Sequence, residues 1–424
     1  MRVLTTLFFL FLSINCIDAQ TTIKELYSDL NKTGSVYYAY PTASIKETPA
    51  PEGYEPFYIS HYGRHGSRYL ISDKDYNTYV QLLGKADSLG VLTVKGKEVL
   101  KKLIIIAKDA EGQGGELTPL GFQQHQNIAN RMFHRFPEVF KHRKQINACS
   151  TVVIRCALSM AKFCETLKGL DPHLDIHLGS GERYMQYLNF WNEEACAFTS
   201  SSSTWRKDFE AFKRKQIQPD RLIHSLISDQ AFINNHIENK NDFMMGMYWI
   251  ASDLQNVKLD LSLYDIFEKK ELVDIWQVIN YEHYMQSGAH PLSTKPILQT
   301  YIPLMNNILE SADKAIKGGH IAANLRFGHD GNVMPLVSFL AFESFCNKET
   351  NPELFYKAWS DFKVVPMAAN VQLIFYRHKT NKDIIVKFLL NENEVNIPIN
   401  SSQKPYYHWA DVKQFYKKKI QSLR

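Results

Sequence analysis

Strand-forming sequence stands at both ends of this chain and is missing from a long stretch between them. On the N-terminal side, "EPFYISHY" at 55–62 and "INACSTVVIRC" at 146–156 are rich in aromatic and β-branched residues. On the C-terminal side, "HIAANLRFGHD" at 320–330, "NVQLIFYRH" at 370–378 and "DIIVKFLLNENEV" at 383–395 read the same way. From about 180 to 310 the sequence is aromatic and mostly helical, with polar loops such as "TSSSST" at 199–204. A sheet made of these strands must draw on both ends of the chain and carry the middle as an insertion. The expectation is an α/β fold: a three-layer α/β core built from 20–179 and 311–424, with an α-helical cap over 180–310.

Helical sequence separates the strands, which is the alternation an α/β core needs. "SDKDYNTYVQLLGKADSLG" and "TVKGKEVLKKLIIIAKDAEG" read as helices that end at glycines. "GGELTPLGFQQHQNIANRMFHRF" has Thr118 as N-cap, Pro119 at the first helical position and Pro137 as the exit. "ALSMAKFCETLKGL" follows its strand directly, and "HWADVKQFYKKKIQSL" forms the last helix. No internal repeat is present.

Composition excludes several classes. The 424 residues are 45% hydrophobic and 22% charged, with a net charge of +5. That surplus is too small over this length for general binding to nucleic acid or to a membrane surface, so a basic site has to be local. Arg2, an apolar stretch of about ten residues and a small-residue end at Ala19 form an export signal cleaved after Ala19. Lipidation at Cys16 is the weaker alternative, because Ser13 and Asn15 suit it poorly. No apolar run elsewhere is long enough for a membrane span. Five cysteines follow the signal, Cys149, Cys156, Cys164, Cys196 and Cys346, without CxxC spacing, so neither a zinc site nor a disulfide framework is indicated. The sequons at 31 and 400 matter only where the host glycosylates.

The local basic site is "GRHGSR" at 63–68. Gly63 and Gly66 are placed to let the backbone approach a ligand, and Arg64 and Arg68 are forked donors suited to phosphate or sulfate oxygens. Positive neighbours disfavour the imidazolium form of His65 and leave a lone pair free for attack on phosphorus. Taken alone, the segment reads equally well as a loop histidine with two surface arginines in ion pairs. Arg155 ends the strand "TVVIRC", and His329 and Asp330 end the strand "LRFGHD". Ligands gather at the carboxyl ends of strands in open α/β sheets, so these residues can converge on the first cluster. His61, four residues before His65, reads as a packed strand histidine, since flanking arginines repel a metal cation. His125 reads as structural, and the basic run "TWRKDFEAFKRKQ" as a solvated helix face.

At this point the sequence resembles the histidine acid phosphatases, which include phytases and inositol polyphosphate phosphatases. The resemblance rests on "RHGSR" at 64–68, "GELTPLGFQQHQNIANRMFHRF" at 115–136, "STVVIRCALSMAKFCETLKGL" at 150–170 and "GHDGN" at 328–332, in the family's order over roughly three quarters of the chain. It implies that His65 attacks phosphorus to give a phosphohistidine. It further implies that Arg64, Arg68, Arg155 and His329 bind the phosphoryl oxygens and that Asp330 protonates the leaving alkoxide. No metal or organic cofactor is implied. Leu70 replaces a proline frequent in the family, and His329-Asp330 follows the phytase form of the last motif rather than the His-Ala-Glu form of multiple inositol polyphosphate phosphatases. The substrates implied are phosphate monoesters, phytate and related inositol phosphates first. Sugar phosphates or nucleotides are the alternative. A non-catalytic phosphate-binding protein would not need the acid beside His329.

Overall fold

The computed structural model describes residues 21–41 and 45–424; the segment read as an export signal, Cys16 included, lies outside them. Eight strands form one sheet: β1 (Tyr54–Arg64), β2 (Gln145–Ser150), β3 (Asp175–Ser180), β4 (Ile321–Gly328), β5 (Asn370–His378), β6 (Ile384–Leu390), β7 (Asn393–Val395) and β8 (Tyr406–His408). Their order is β3-β2-β4-β1-β5-β6-β7, with β8 also on β6. β3, β2, β4 and β1 run parallel, and β5 to β8 continue the sheet antiparallel. The sheet is therefore mixed, and its two central strands, β1 and β4, come from opposite ends of the chain.

Alternation along the strands supplies two apolar faces. Ile59, Ile146, Leu325, Phe327 and Ile374 pack under the helices Pro119–Arg135, Pro137–His142 and Ile154–Leu170. Tyr58, Tyr62, Leu373, Phe375 and Phe388 face the helices Ile302–Lys317, Asp330–Leu340 and Trp409–Leu423. The middle segment, from Glu182 to Tyr301, holds helices and loops and contributes no strand to the sheet among the described residues. Its helices Asp220–Leu226 and Lys240–Asp253 pack against the early helices Lys74–Ser88 and Val94–Asp109, through Leu83, Val99, Leu103, Leu226 and Met247.

Local signals explain most boundaries. Thr118 caps the helix Pro119–Arg135, its hydroxyl accepting from the Gly121 N–H at 3.3 Å. Three readings need correction. "INACSTVVIRC" is not one strand: β2 stops at Ser150 and the helix begins at Ile154, so Arg155 sits in a first helical turn rather than at a strand end. "DIIVKFLLNENEV" is a hairpin, because Asn391 and Glu392 adopt positive φ of 48° and 66°. "GRHGSR" does not turn straight into a helix; a loop runs from His65 to Asp73 before the helix at Lys74.

All five described cysteines are free. No helix among the described residues is long and apolar enough to cross a membrane.

Candidate active site

The carboxyl ends of β1 and β4 lie side by side, Arg64 paired with Gly328 in the parallel register. Backbone bonds fix the loop that follows: the His65 N–H donates to the Gly328 carbonyl at 3.0 Å, and the Ala368 N–H donates to the His65 carbonyl at 2.9 Å. Three distant segments thus meet at one residue.

Side chains from below hold the rest of the loop. The Ser67 N–H donates to Gln124 Oε1 at 2.9 Å, Ser67 Oγ donates to Asn256 Oδ1 at 2.6 Å, and the Gly66 N–H donates to Ser159 Oγ at 3.1 Å. The Leu70 N–H donates to the Tyr76 hydroxyl, which donates to Asp253 Oδ2, both at 2.8 Å. Burial lifts the Asp253 carboxyl to about 7. Packing alone requires glycine at both Gly63 and Gly66. A Cβ on Gly66 would stand 2.5 Å from the Gly121 carbonyl oxygen, and one on Gly63 would stand 2.6 Å from the His61 ring.

His65 is buried, and its Nδ1 lies 2.9 Å from the Gly66 carbonyl. A carbonyl only accepts, so Nδ1 carries the proton and Nε2 keeps its lone pair. Burial, then Arg64, Arg68 and Arg155, push the imidazole well below its ordinary pKa. His329 stands across from it with ring centroids 5.8 Å apart. Its Nε2 is 3.2 Å from Thr151 Oγ1, and burial followed by Arg155 lowers its pKa to about 4.

Arg64 and Arg68 are anchored by part of their guanidinium groups. Arg64 Nη1 donates to the carbonyls of Val36 and Val365 at 2.6 and 2.7 Å, and Nη2 donates to Asp330 Oδ2 at 3.1 Å. Arg68 Nη1 donates to the Tyr37 hydroxyl at 3.0 Å and the Tyr69 carbonyl at 2.8 Å, and its guanidinium lies over the Tyr37 ring. The Nε atoms of Arg64, Arg68 and Arg155 are all buried without a partner among the described residues. Buried donors are almost always satisfied, so three such N–H groups around one histidine fit an oxyanion ligand.

Asp330 opens the helix Asp330–Leu340 and accepts from the Gly331 N–H at 2.9 Å. Burial acts to raise its carboxyl, but Arg64, His65, the Gly331 N–H and His283 together hold it well below the usual carboxylate range. All six residues read from sequence, Arg64, His65, Arg68, Arg155, His329 and Asp330, therefore belong to one electrostatic cluster.

His61 and His125 are excluded from it. They are buried against Phe163 and Phe327 beneath the sheet, and burial lowers both to about 3. No group of three His, Cys, Asp or Glu among the described residues could hold a metal.

Sequence reasoning missed Tyr37 and His283. Beyond Arg68 opens a cavity of about 600 Å³ lined by Tyr37, Lys74, Tyr79, Trp249 and His283. His283 Nδ1 binds the buried Asp361 carboxylate at 2.8 Å; burial opposes its charge, but Asp361 raises its pKa overall. This histidine comes from the last turn of the helix Lys269–Gln286, where no local motif marks it.

The sequence profile described as "Histidine phosphatase superfamily (branch 2)" matches residues 63–391. Multiple inositol polyphosphate phosphatase 1 of Gallus gallus is 22% identical over 326 residues, covering 72% of this chain and 70% of that protein. Among solved structures, the multiple inositol polyphosphate phosphatase of Bifidobacterium longum in complex with inositol hexasulfate superposes with a TM-score of 0.76 at 18% identity, over 91% of this chain and 97% of that one. The phytase of D. castellii gives 0.67 at 16% identity, over 92% and 85%. The structural likenesses establish a shared fold.

Proposed function

Starting from the fact that the chain belongs to the histidine phosphatase superfamily, branch 2, and hydrolyses phosphate monoesters, we propose that its substrates are inositol polyphosphates, phytate first, and that His65 is the nucleophile. The observation that carries the assignment is the Nδ1–H of His65 donated to the Gly66 carbonyl, which leaves Nε2 as the free lone pair among three arginines. Nε2 attacks phosphorus, the bond to the leaving oxygen breaks, and Asp330 gives that oxygen a proton. Water then attacks the phosphohistidine while the Asp330 carboxylate accepts its proton, which releases orthophosphate and restores the imidazole. Arg64, Arg68, Arg155 and His329 hold the equatorial oxygens, where charge spreads in the transition state.

The inositol reading rests on the relatives named above and on the cavity beyond Arg68. Arg68 and Lys74 in its wall outnumber the single acid there, Asp75, and so give positive charge beside the reacting centre, as a substrate with several phosphates requires. Sugar phosphates and nucleotides, with fewer phosphates, make less use of that charge. Export with cleavage after Ala19 belongs to the same proposal, supported by the Arg2-apolar-Ala19 sequence, and N-terminal sequencing of the mature protein tests it.

The central experiment measures phosphate release from phytate and from a panel of simple monoesters, with His65→Ala as the blank. Preference for phytate with a silent His65→Ala is expected. Equal rates across the panel would refute the substrate class, and residual turnover in the variant would refute the nucleophile.

A further inference from the structure

Four cationic side chains are buried among the described residues: Arg64, Arg68, Arg326 and Lys387. Taking a charge out of water costs several kcal/mol unless it is neutralised. Two of the four are neutralised, Arg64 by Asp330 at 3.1 Å and Lys387 by Glu47 at 3.1 Å and Glu394 at 3.0 Å. Arg68 has no carboxylate, which suits a residue that faces a phosphate. Arg326 has none either, and it lies elsewhere.

Arg326 stands on β4, where it pairs with Tyr62 of β1 and Cys149 of β2. Its side chain points to the sheet face opposite Phe327, under the helix Ile302–Lys317. It is 2% exposed, and its donors meet neutral oxygens: Nε to Asn307 Oδ1 at 2.8 Å, Nη1 to Ser60 Oγ at 3.1 Å and Nη2 to Ser311 Oγ at 2.7 Å. A guanidinium has five N–H groups, so these bonds orient it and leave donors over. The charge itself has no partner.

A cavity of about 430 Å³ lies beside it, with Arg326 in the wall together with Arg183, Lys314, His177, Asn147 and Asn324, and with no Asp or Glu in the lining. Lys314 is exposed and forms no ion pair among the described residues. Arg183 is held over the Tyr184 ring, its Nη2 donating to that hydroxyl at 2.6 Å. The volume is that of a small-molecule site. It runs along the middle of β2, β3 and β4, away from the carboxyl ends that form the catalytic cluster.

We infer that this cavity is a second anion site, in which Arg326, with Lys314 and Arg183 at the mouth, binds a phosphoryl-type oxyanion, free or carried on a small organic molecule. The buried, pre-oriented guanidinium provides the fixed charge and the two surface cations close over the ligand. The site connects with the catalytic one through the helix Glu182–Leu188. Arg183, Tyr184 and Tyr187 of that helix line the cavity. Its last carbonyl, on Leu188, accepts from the Tyr62 hydroxyl at 3.0 Å, and the next residue, Asn189, accepts from Asn332 of the Asp330 helix at 2.8 Å.

The test is calorimetric titration of the full chain with orthophosphate and, separately, with phenylphosphonate, which cannot be hydrolysed. Lys314→Glu and Arg326→Met are titrated beside the wild type. Two binding events are expected in the wild type. Lys314→Glu, a surface change that leaves the fold intact, should weaken one event at least tenfold and leave hydrolysis of a simple monoester unchanged. Arg326→Met should abolish the same event. Binding of orthophosphate alone identifies a free anion as the ligand, and binding of the phosphonate as well identifies an organic one. A single event in the wild type, or two events that Lys314→Glu leaves untouched, refutes the site. His65→Ala should retain the second event whatever happens to catalysis, so failure here and failure of the nucleophile assignment are distinguishable.

Discussion

Asp330 in the free site is an ionised group, because Arg64 and the Gly331 N–H outweigh the effect of burial. A donor must be protonated, and above its pKa the protonated fraction falls tenfold for each pH unit. The dianionic phosphate of a bound substrate moves that carboxyl upward, yet activity should still favour acid and decline as pH rises; a rate that climbs above neutral pH would contradict the donor role. Asp330→Asn removes the proton and keeps the shape. It should slow alkyl phosphates by roughly 10²-fold or more and slow activated aryl phosphates far less, which a comparison of the two leaving groups under steady state will show. Two other titrating residues act on stability. His61 and His125 are held near 3 in the fold and rise to about 6.5 when unfolded. The unfolded chain therefore binds more protons between those values, so stability is full above about 6.5 and is lost as pH falls, by roughly 1.4 kcal/mol per pH unit for each histidine. Replacing His125 with Leu should narrow the gap between urea midpoints measured at pH 7 and pH 4.5; an unchanged gap would show that this histidine does not titrate on unfolding.

Helices and loops show why some of the site is legible in sequence and some is not. Arg64, His65, Arg68, His329 and Asp330 are readable because each group is contiguous and each follows a strand whose residue pattern marks its end. Arg155 is readable as a residue but not as a position. The β-branched run before it suggests a strand, yet Val152 and Ile154 are exposed and the helix has already begun. Tyr37 and His283 reach the site only through tertiary packing of the helices, which no local periodicity encodes. Glycine meaning is hidden in the same way: nothing in the sequence shows that Gly66 packs directly against Gly121. A Cβ on Gly121 would stand 2.2 Å from the Ser67 carbonyl oxygen. Gly121→Ala should therefore push the loop after β1 off the helix. Catalytic rate should fall at least tenfold while the circular dichroism spectrum stays native; full activity would show that the loop tolerates the displacement.

At the scale of the whole molecule, the sheet order β3-β2-β4-β1-β5-β6-β7 was predictable in kind, since strand signals at both ends oblige a shared sheet. Its antiparallel half was not, because the residues of a strand do not set the direction in which it pairs; the connections decide that. Truncation after Ala369 removes the antiparallel neighbour of β1, and with it the strand that holds Ala368 against His65. The truncated chain should neither fold cooperatively nor release phosphate, as measured by thermal denaturation and phosphate assay; activity in it would show that the parallel half is self-sufficient.

The parallel pairing of Arg64 with Gly328 joins residues separated by most of the chain. Contacts of such sequence separation form late and slowly. During synthesis, everything up to the loop after β1 emerges from the ribosome long before β4, the strand that completes it. The nascent polypeptide is therefore expected to be inactive until the C-terminal quarter, from β4 onward, docks. Recovery of turnover after dilution from denaturant is then a direct clock for closure of the sheet.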